Sequence, residues 1–356
     1  MEKITITASK TYDALTGSGL LPRAGAYIRQ ALGEKVRKIC VVTDSNVAPL
    51  YSDALISSLE ESGFVAVKFV FAAGEASKNL RTLSDLLEFL AQRQLTRSDA
   101  LVALGGGVTG DLTGFAAASY LRGIPFVQVP TTLLAAVDSS VGGKTGVNLE
   151  AGKNLAGAFW QPSLVLFDTD TMATLSQDLL LDGAAEAIKA GAIADKELLS
   201  YIREKPDLKD PAVITHLSGR AIEIKRRVVQ EDERDTGARQ LLNFGHTLGH
   251  AIEKCSGFSV SHGHAVAIGM VIESRAALQF GWSREDCAAP LSEILKKFDF
   301  PLDCPYSASQ LTQAALSDKK RQGDRLTLVI PVAQGDCQLK ELPVSRLEEF
   351  IKAGLS

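Results

Sequence analysis

Ala100-Leu101-Val102-Ala103-Leu104-Gly105-Gly106-Gly107-Val108-Thr109-Gly110-Asp111 reads as a buried strand, a glycine turn and the opening of a helix that runs to about Tyr120. Gly105, Gly107 and Gly110 satisfy the spacing G-x-G-x-x-G in the strand–turn–helix setting that a dinucleotide site requires. Glycine lets backbone approach a pyrophosphate, and a helix N-terminus adds unpaired N–H groups and a favourable dipole. The same fingerprint asks for an acidic residue about 20 positions on, to hold a ribose. Val127-Gln128-Val129-Pro130-Thr131-Thr132 supplies none, so the candidate is Asp44, upstream at the end of another β-rich run. A tight turn packed against a neighbour also demands glycine, and the turn alone leaves both readings open.

Further β-rich runs at 39–43, 65–71, 126–129 and 164–167 are separated by segments of helical periodicity. That alternation predicts βαβ units and a Rossmann-like, mostly parallel sheet. Beyond Leu175 the pattern turns helical, at 178–195, 211–231, 247–254, 264–280 and 283–298, with one late strand at 325–330. The expectation is an α/β domain over 1–176 and a mainly α-helical domain over 177–356. A chain of 356 residues is long enough for two cores.

Composition narrows the function. With 46% hydrophobic and 22% charged residues the chain is globular rather than disordered. Its net charge of −4, with no run that concentrates Lys and Arg, excludes nucleic acid as the expected partner. Cys40, Cys255, Cys287, Cys304 and Cys337 are odd in number, scattered and never in a C-x-x-C spacing, which argues against disulfides or thiolate zinc and for a reducing cytoplasm. No run approaches the 18 apolar residues of a membrane span.

Four of the five histidines, His246, His250, His262 and His264, fall between positions 246 and 264. His246 and His250 share a helix face, and a helix hairpin can return His262 and His264 to them. Two imidazoles and one carboxylate would leave an open position, the arrangement of catalytic zinc. Glu186 lies on an otherwise small, apolar helix, where burial of an unpaired carboxylate is costly and coordination would remove that cost. A hydrogen-bonded packing cluster is the alternative. No H-E-x-x-H occurs, and the Gly-Gly-Lys-Thr at 142–145 lacks the earlier glycine of a P-loop. Basic residues nonetheless recur in glycine-rich turns, at Arg122, Lys144 and Lys153. Each lysine alone suits a solvated surface; together they fit a multiply charged small substrate.

The succession Gly-Glu-x-x-Lys (74–78), Gly-Gly-Gly-Val-x-Gly-Asp (105–111), Arg122-Gly123, Pro130-Thr131-Thr132, Val137 to Thr145, Gly152-Lys153-Asn154, Glu186 to Lys189, Asn243-Phe244-Gly245-His246-Thr247-x-Gly-His250 and His262-Gly263 resembles the 3-dehydroquinate synthase family over nearly the whole chain. The resemblance implies NAD as cofactor, lined by Asp44, Glu75, Lys78, Gly106, Gly107, Val108, Asp111, Thr131, Thr132, Lys144, Lys153, Thr171 and Thr174. It implies zinc, or cobalt, on Glu186, His246 and His262. Arg122, Lys144, Lys153, Asn154, Lys189, Lys225, Arg239, Asn243, Lys319 and Lys320 would surround a phosphorylated sugar acid, with Arg122 reaching the neighbouring subunit of a homodimer.

The implied reaction turns 3-deoxy-D-arabino-heptulosonate 7-phosphate into 3-dehydroquinate and phosphate by transient oxidation at C5, β-elimination of phosphate, reduction and aldol closure, in the shikimate pathway. His250 would be its general acid/base, with Asp138 and Lys144 beside it in catalytic roles. Two departures from the family pattern stand out: His264 and Asp235 occupy positions where relatives more often carry Glu, and His264 adds a fourth imidazole able to compete for the metal. The rival readings are another sugar phosphate cyclase, a zinc polyol dehydrogenase of the same fold, and a catalytically silent NAD- or metal-binding protein.

Overall fold

The computed structural model describes residues 1–205, 207–316 and 324–356. Its strands and helices fall, in chain order, as β1 (Glu2–Thr7), β2 (Thr11–Gly17), α1 (Ala24–Leu32), β3 (Lys38–Asp44), α2 (Ala48–Glu61), β4 (Val65–Phe71), α3 (Leu80–Gln92), β5 (Ala100–Gly105), α4 (Gly107–Ser119), β6 (Phe126–Pro130), β7 (Lys144–Leu149), β8 (Gly152–Phe159) and β9 (Leu164–Asp168). There follow α5 (Gln177–Ala194), α6 (Lys196–Glu204), α7 (Pro211–Glu231), α8 (His246–Cys255), α9 (His262–Gln279), α10 (Ala288–Lys297), α11 (Ala308–Leu316), β10 (Arg325–Ala333), β11 (Asp336–Pro343) and α12 (Leu347–Leu355).

Two compact units emerge, one of Met1–Leu175 with Lys209–Arg234, the other of Ser176–Leu208 with Asp235–Ser356. The chain therefore passes between them three times, at 175/176, 208/209 and 234/235, rather than once near 176.

The first unit is built on a seven-stranded sheet in the order β1-β2-β9-β6-β5-β3-β4, parallel except for β1 at one edge. The strands foreseen from their apolar runs are all present. β5, β6 and β9 are buried at every position, as expected of strands covered on both faces. Alternate side chains feed two cores. Ile39, Val41, Val102 and Leu104 meet Ile28 of α1 and Leu55 and Leu59 of α2, while Cys40, Val42 and Leu101 meet Leu86 and Leu90 of α3 and Leu112 of α4. Ile222 and Val229 of α7 close a third core with Ile6, Tyr12, Ala14 and Val165. This burial is why α7, although flanked in sequence by helices of the second unit, belongs to the first.

Among the strands, the β1–β2 pairing, the β7–β8 hairpin and β11 were not foreseen, and in the second unit neither were α6, α11 and α12. In the second unit, α8, α9, α11 and α12 share a core with the β10–β11 hairpin through Leu248, Ile252, Ile268, Ile272, Leu311, Leu328 and Phe350. No helix among the described residues is long and apolar enough to cross a membrane.

Candidate active site

In the first unit, β3 pairs directly with β5, with Thr43 opposite Leu104, so Asp44 arrives beside the glycine turn. Thr109 Oγ1 donates to Asp44 Oδ2 at 3.4 Å, and Asp44 Oδ1 accepts the Asn46 and Val47 amides ahead of α2. The sheet thus brings together an acid and a glycine turn that lie some 60 residues apart in sequence. The glycines divide into two kinds. A Cβ on Gly105 would fall 2.4 Å from Thr109 Oγ1 and one on Gly110 2.6 Å from Gln128 Oε1, so these two serve packing. At Gly106 and Gly107 the nearest atoms are Thr132 Cγ2 at 3.3 Å and Ser139 Oγ at 3.0 Å, both on the segment that follows β6. Gly106 caps α4, whose first turn presents its N–H groups there.

Lys78, which alone reads as a solvated lysine, is 5% exposed and donates to Asp111 Oδ2 at 2.6 Å. Burial pushes the Asp111 carboxyl up despite that partner. Glu75 lies 3.9 Å from Lys78 Nζ and accepts from Asn148 Nδ2 at 2.7 Å. Thr131 donates its N–H to the Gly105 carbonyl, and its buried Oγ1 has no hydrogen-bond partner; Thr132 Oγ1 accepts the Ala135 amide. Thr171 and Thr174 are tied to Tyr51 of α2: the tyrosine hydroxyl donates to the Thr171 carbonyl (3.1 Å) and lies 2.6 Å from Thr174 Oγ1. Val108 is half-buried in the first turn of α4.

Asp138 lies in a π-helical turn, Ala135–Ser139, a form of helix that concentrates at functional sites. Buried Lys225, from α7, grips this turn by donating to Asp138 Oδ1 at 2.6 Å and to the Asp138 carbonyl. Lys144 and Lys153 are exposed on the β7–β8 hairpin, with Asn154 at φ +55° donating its N–H to Asn148 Oδ1. Arg122 is exposed on a turn whose residues Leu121 and Arg122 both have positive φ, +49° and +67°. Backbone held in that region by non-glycine residues stores strain, commonly at functional positions.

In the second unit, α5 is buried from Leu180 to Ile193, and Glu186 and Lys189 are both 3% exposed and ion-paired. Arg239 is 2% exposed and Asn243 half-buried on the 3-10 turn Ala238–Asn243. Lys319 and Lys320 lie outside the described residues. His246 opens α8 directly after Gly245, whose φ of +74° only glycine adopts easily. His262 opens α9. The Nε2 atoms of both histidines lie 3.6 Å from Glu186 Oε1, which is buried without a hydrogen-bond partner.

On the far side of each ring a protein acceptor waits: the Phe244 carbonyl at 3.1 Å from His246 Nδ1, and Glu253 Oε2 at 3.4 Å from His262 Nδ1. Acceptors at Nδ1 hold a ring proton there, so Nε2 of each ring is the atom that would give its lone pair to an ion beside the carboxylate. An oxygen and two imidazole nitrogens within 4.8 Å of one another match the donor set of zinc or cobalt, and the orphaned Glu186 oxygen is satisfied by such an ion.

Electrostatics follow the crowding. Glu186 would be raised by burial, but Lys189, His246 and His262 hold it well below the usual carboxylate range. Burial, reinforced by Lys189, drives His246 well below an ordinary histidine. Burial also disfavours the charged form of His262, yet Glu186 and Glu253 outweigh it and push the group up to about 10. The His250 ring centroid lies 5.5 Å from that of His246 and 6.0 Å from that of His262, outside the Glu186 triad.

His264 turns elsewhere. Its Nδ1 lies 2.7 Å from Ser261 Oγ and 3.3 Å from Asp182 Oδ1, and its ring rests on Phe300. The sequence reading passed over Glu253. Its signal was its spacing, seven residues after His246 and three after His250, which keeps it on the histidine face of α8.

Comparison with known proteins bears on this arrangement. The family profile for the N-terminal part of 3-dehydroquinate synthase matches residues 68–182, and that for the C-terminal part matches residues 183–321. The 3-dehydroquinate synthase of Streptococcus sanguinis (strain SK36) is 44% identical over 346 residues, covering 96% of this chain and 97% of its own. A crystal structure of 2-deoxy-scyllo-inosose synthase complexed with carbaglucose-6-phosphate, NAD+ and Co2+ has a TM-score of 0.90 at 26% identity, over 99% of this chain and 100% of that one. A 2-epi-5-epi-valiolone synthase from Streptomyces hygroscopicus subsp. jinggangensis 5008, with NAD+ and Zn2+ bound, has a TM-score of 0.87 at 26% identity, covering 99% and 98%. Matched by both profiles over residues 68–321 and 44% identical to a curated member over 96% of its length, the chain belongs to the 3-dehydroquinate synthase family.

Proposed function

We propose that the chain converts 3-deoxy-D-arabino-heptulosonate 7-phosphate to 3-dehydroquinate and phosphate, with NAD and zinc or cobalt as cofactors. The chain is then a phosphate-eliminating carbon–oxygen lyase. The observation that carries this reading is the convergence of Glu186 Oε1 with the Nε2 atoms of His246 and His262, beside a fourth group, His250, that stands outside the triad. The family's activity and the NAD+, Co2+ and Zn2+ complexes of the similar structures support it. Identity of 44% to a 3-dehydroquinate synthase, against 26% to the other cyclases, favours this substrate over theirs.

When bound, the metal supplies Lewis acidity toward substrate hydroxyls, and NAD supplies a hydride acceptor that gives the hydride back. The chain's own residues do the rest. Glu186, His246 and His262 hold the ion. Asp44, Glu75, Lys78, Asp111, Thr131 and Thr132 shape the nucleotide site around Gly106 and Gly107. Val108, Thr171 and Thr174 border it. Arg122, Lys144, Lys153, Asn154, Lys225, Arg239 and Asn243 bind the phosphate and carboxylate, and Lys189 keeps Glu186 ionised.

His250 moves protons at the substrate as general acid/base, worth typically 10²–10⁴-fold. The Lys225 grip on Asp138 fixes that carboxylate for its part in the proton relay. The exposed, strained turn at Arg122 suits a residue that reaches a second subunit, so a homodimer belongs to the proposal. So does a cytoplasmic location, which the five free thiols fit.

The test supplies the heptulosonate phosphate with substoichiometric NAD+ and with Zn2+, and follows phosphate release. Absence of release by metal-loaded, NAD-bound protein overturns the reading. His250→Ala is expected to keep its metal and lose at least about 10²-fold in turnover. His246→Ala is expected to lose the metal, and equal metal loss in both variants contradicts the division of roles.

A further inference from the structure

We infer that Glu253 is a positioning residue for the metal centre, fixing the ring of His262 without itself coordinating the ion. The inference rests on the metal-binding reading above. Glu253 is 7% exposed, on the same face of α8 as His246 and two turns beyond it. Its Oε2 lies 3.4 Å from His262 Nδ1, while the opposite nitrogen, Nε2, lies 3.6 Å from Glu186 Oε1. One imidazole is therefore spanned by two carboxylates, and a ring has only one nitrogen to give an ion in that position. With Nδ1–H donated to Glu253, Nε2 is left as the ligand atom and the ring cannot rotate away from Glu186 without losing its outer partner.

A second grouping, His250, Glu253 and His262, also has its atoms within 4.8 Å, so Glu253 as a ligand is the competing assignment. An ion held by that set through His262 Nδ1, the nitrogen beside Glu253, would leave Oε1 of Glu186 buried without a partner.

The backbone under His262 is fixed by a different carboxylate. Asp182, one turn before Glu186 on α5, accepts the Gly263 N–H at 2.9 Å and the Ser261 hydroxyl at 2.6 Å. A Cβ at Gly263 would fall 2.4 Å from Asp182 Cα, so α9 begins in direct contact with the helix of Glu186. With the main chain held there, the torsion of the His262 side chain is the freedom left for Glu253 to fix.

The test loads the whole apoprotein with Co2+, recording its visible absorption spectrum and its affinity by competition with a chelator. His262→Ala serves as the ligand-loss control. Glu253→Ala is expected to bind Co2+ about 10–100-fold more weakly, with altered bands. Glu253→Gln keeps an acceptor oxygen for Nδ1–H and is expected to stay within a few-fold of the parent, with its spectrum. Circular dichroism checks each fold, and Glu253→Met, of similar length and without an acceptor, replaces the alanine variant if that does not fold.

Parent-like affinity and spectrum in the variant lacking an acceptor overturn the inference. So does a loss in Glu253→Gln as large as in His262→Ala, which makes Glu253 a ligand. If His262→Ala itself keeps Co2+ at parental affinity, the metal-binding reading fails, and that outcome is distinct from the other two.

Discussion

Glu273 of α9 is 1% exposed, with one oxygen accepting the Gly245 amide at 2.8 Å and the other, Oε1, without a partner. Burial, only partly offset by the Gly245 and Leu248 amides, pushes its carboxyl up to about 8. A folded value above the unfolded one, near 4.3, means that the native state holds this proton more tightly. The contribution is therefore complete below about pH 4.3 and lost as pH rises through about 8. One proton sets the slope, at most about 1.4 kcal/mol per pH unit inside that window. Glu273→Gln is expected to flatten the fall of melting temperature between pH 5 and 8. An unchanged fall in the variant means that another group is responsible. At this scale the histidines were legible because they are scarce and crowded, Lys78 was legible through its motif but not its burial, and Glu253 was not legible. A charged residue on a helix or after a turn reads as solvated until a partner from a distant segment is known.

Among the elements, Gly263 sets how closely α9 approaches α5. Gly263→Ala would add a methyl group 2.4 Å from Asp182 Cα and 2.6 Å from its carbonyl oxygen, where backbone must shift to admit it. Alanine is the better helix former, so propensity alone favours the variant; overpacking, at about 1–3 kcal/mol, decides the sign. The expected result is a lower urea midpoint and weaker Co2+ binding together. Unchanged values for both would show that α9 has room to move. The strands β5, β6 and β9 were readable as apolar runs because both faces are covered. β11 was not, because most of its residues are exposed or half-buried and its polar sequence carries no strand signature. The β7–β8 hairpin was hidden by Gly146 and Gly157, whose absent side chains allow the two backbones to approach closely.

At the level of the whole molecule, the two units were foreseeable from the change of periodicity near residue 175, but the return of α7 was not. Its helical pattern is the same whichever core its apolar face joins. That face covers Ile6, Tyr12 and Ala14. A fragment of residues 1–176 is therefore expected to unfold without a sharp transition in denaturant, and a fusion that appends residues 209–234 to it is expected to restore one. Equal cooperativity in the two fragments would show that α7 is dispensable to the first unit.

The position of α7 also sets an order of events during synthesis. The last strand of the large sheet ends at Asp168, yet the helix that closes its β1–β2 face ends at Glu231. At roughly 5–20 residues per second, a ribosome takes about 3–13 s to make that stretch. For those seconds the nascent chain carries a complete run of strands whose β1–β2 face still waits for the helix that covers it.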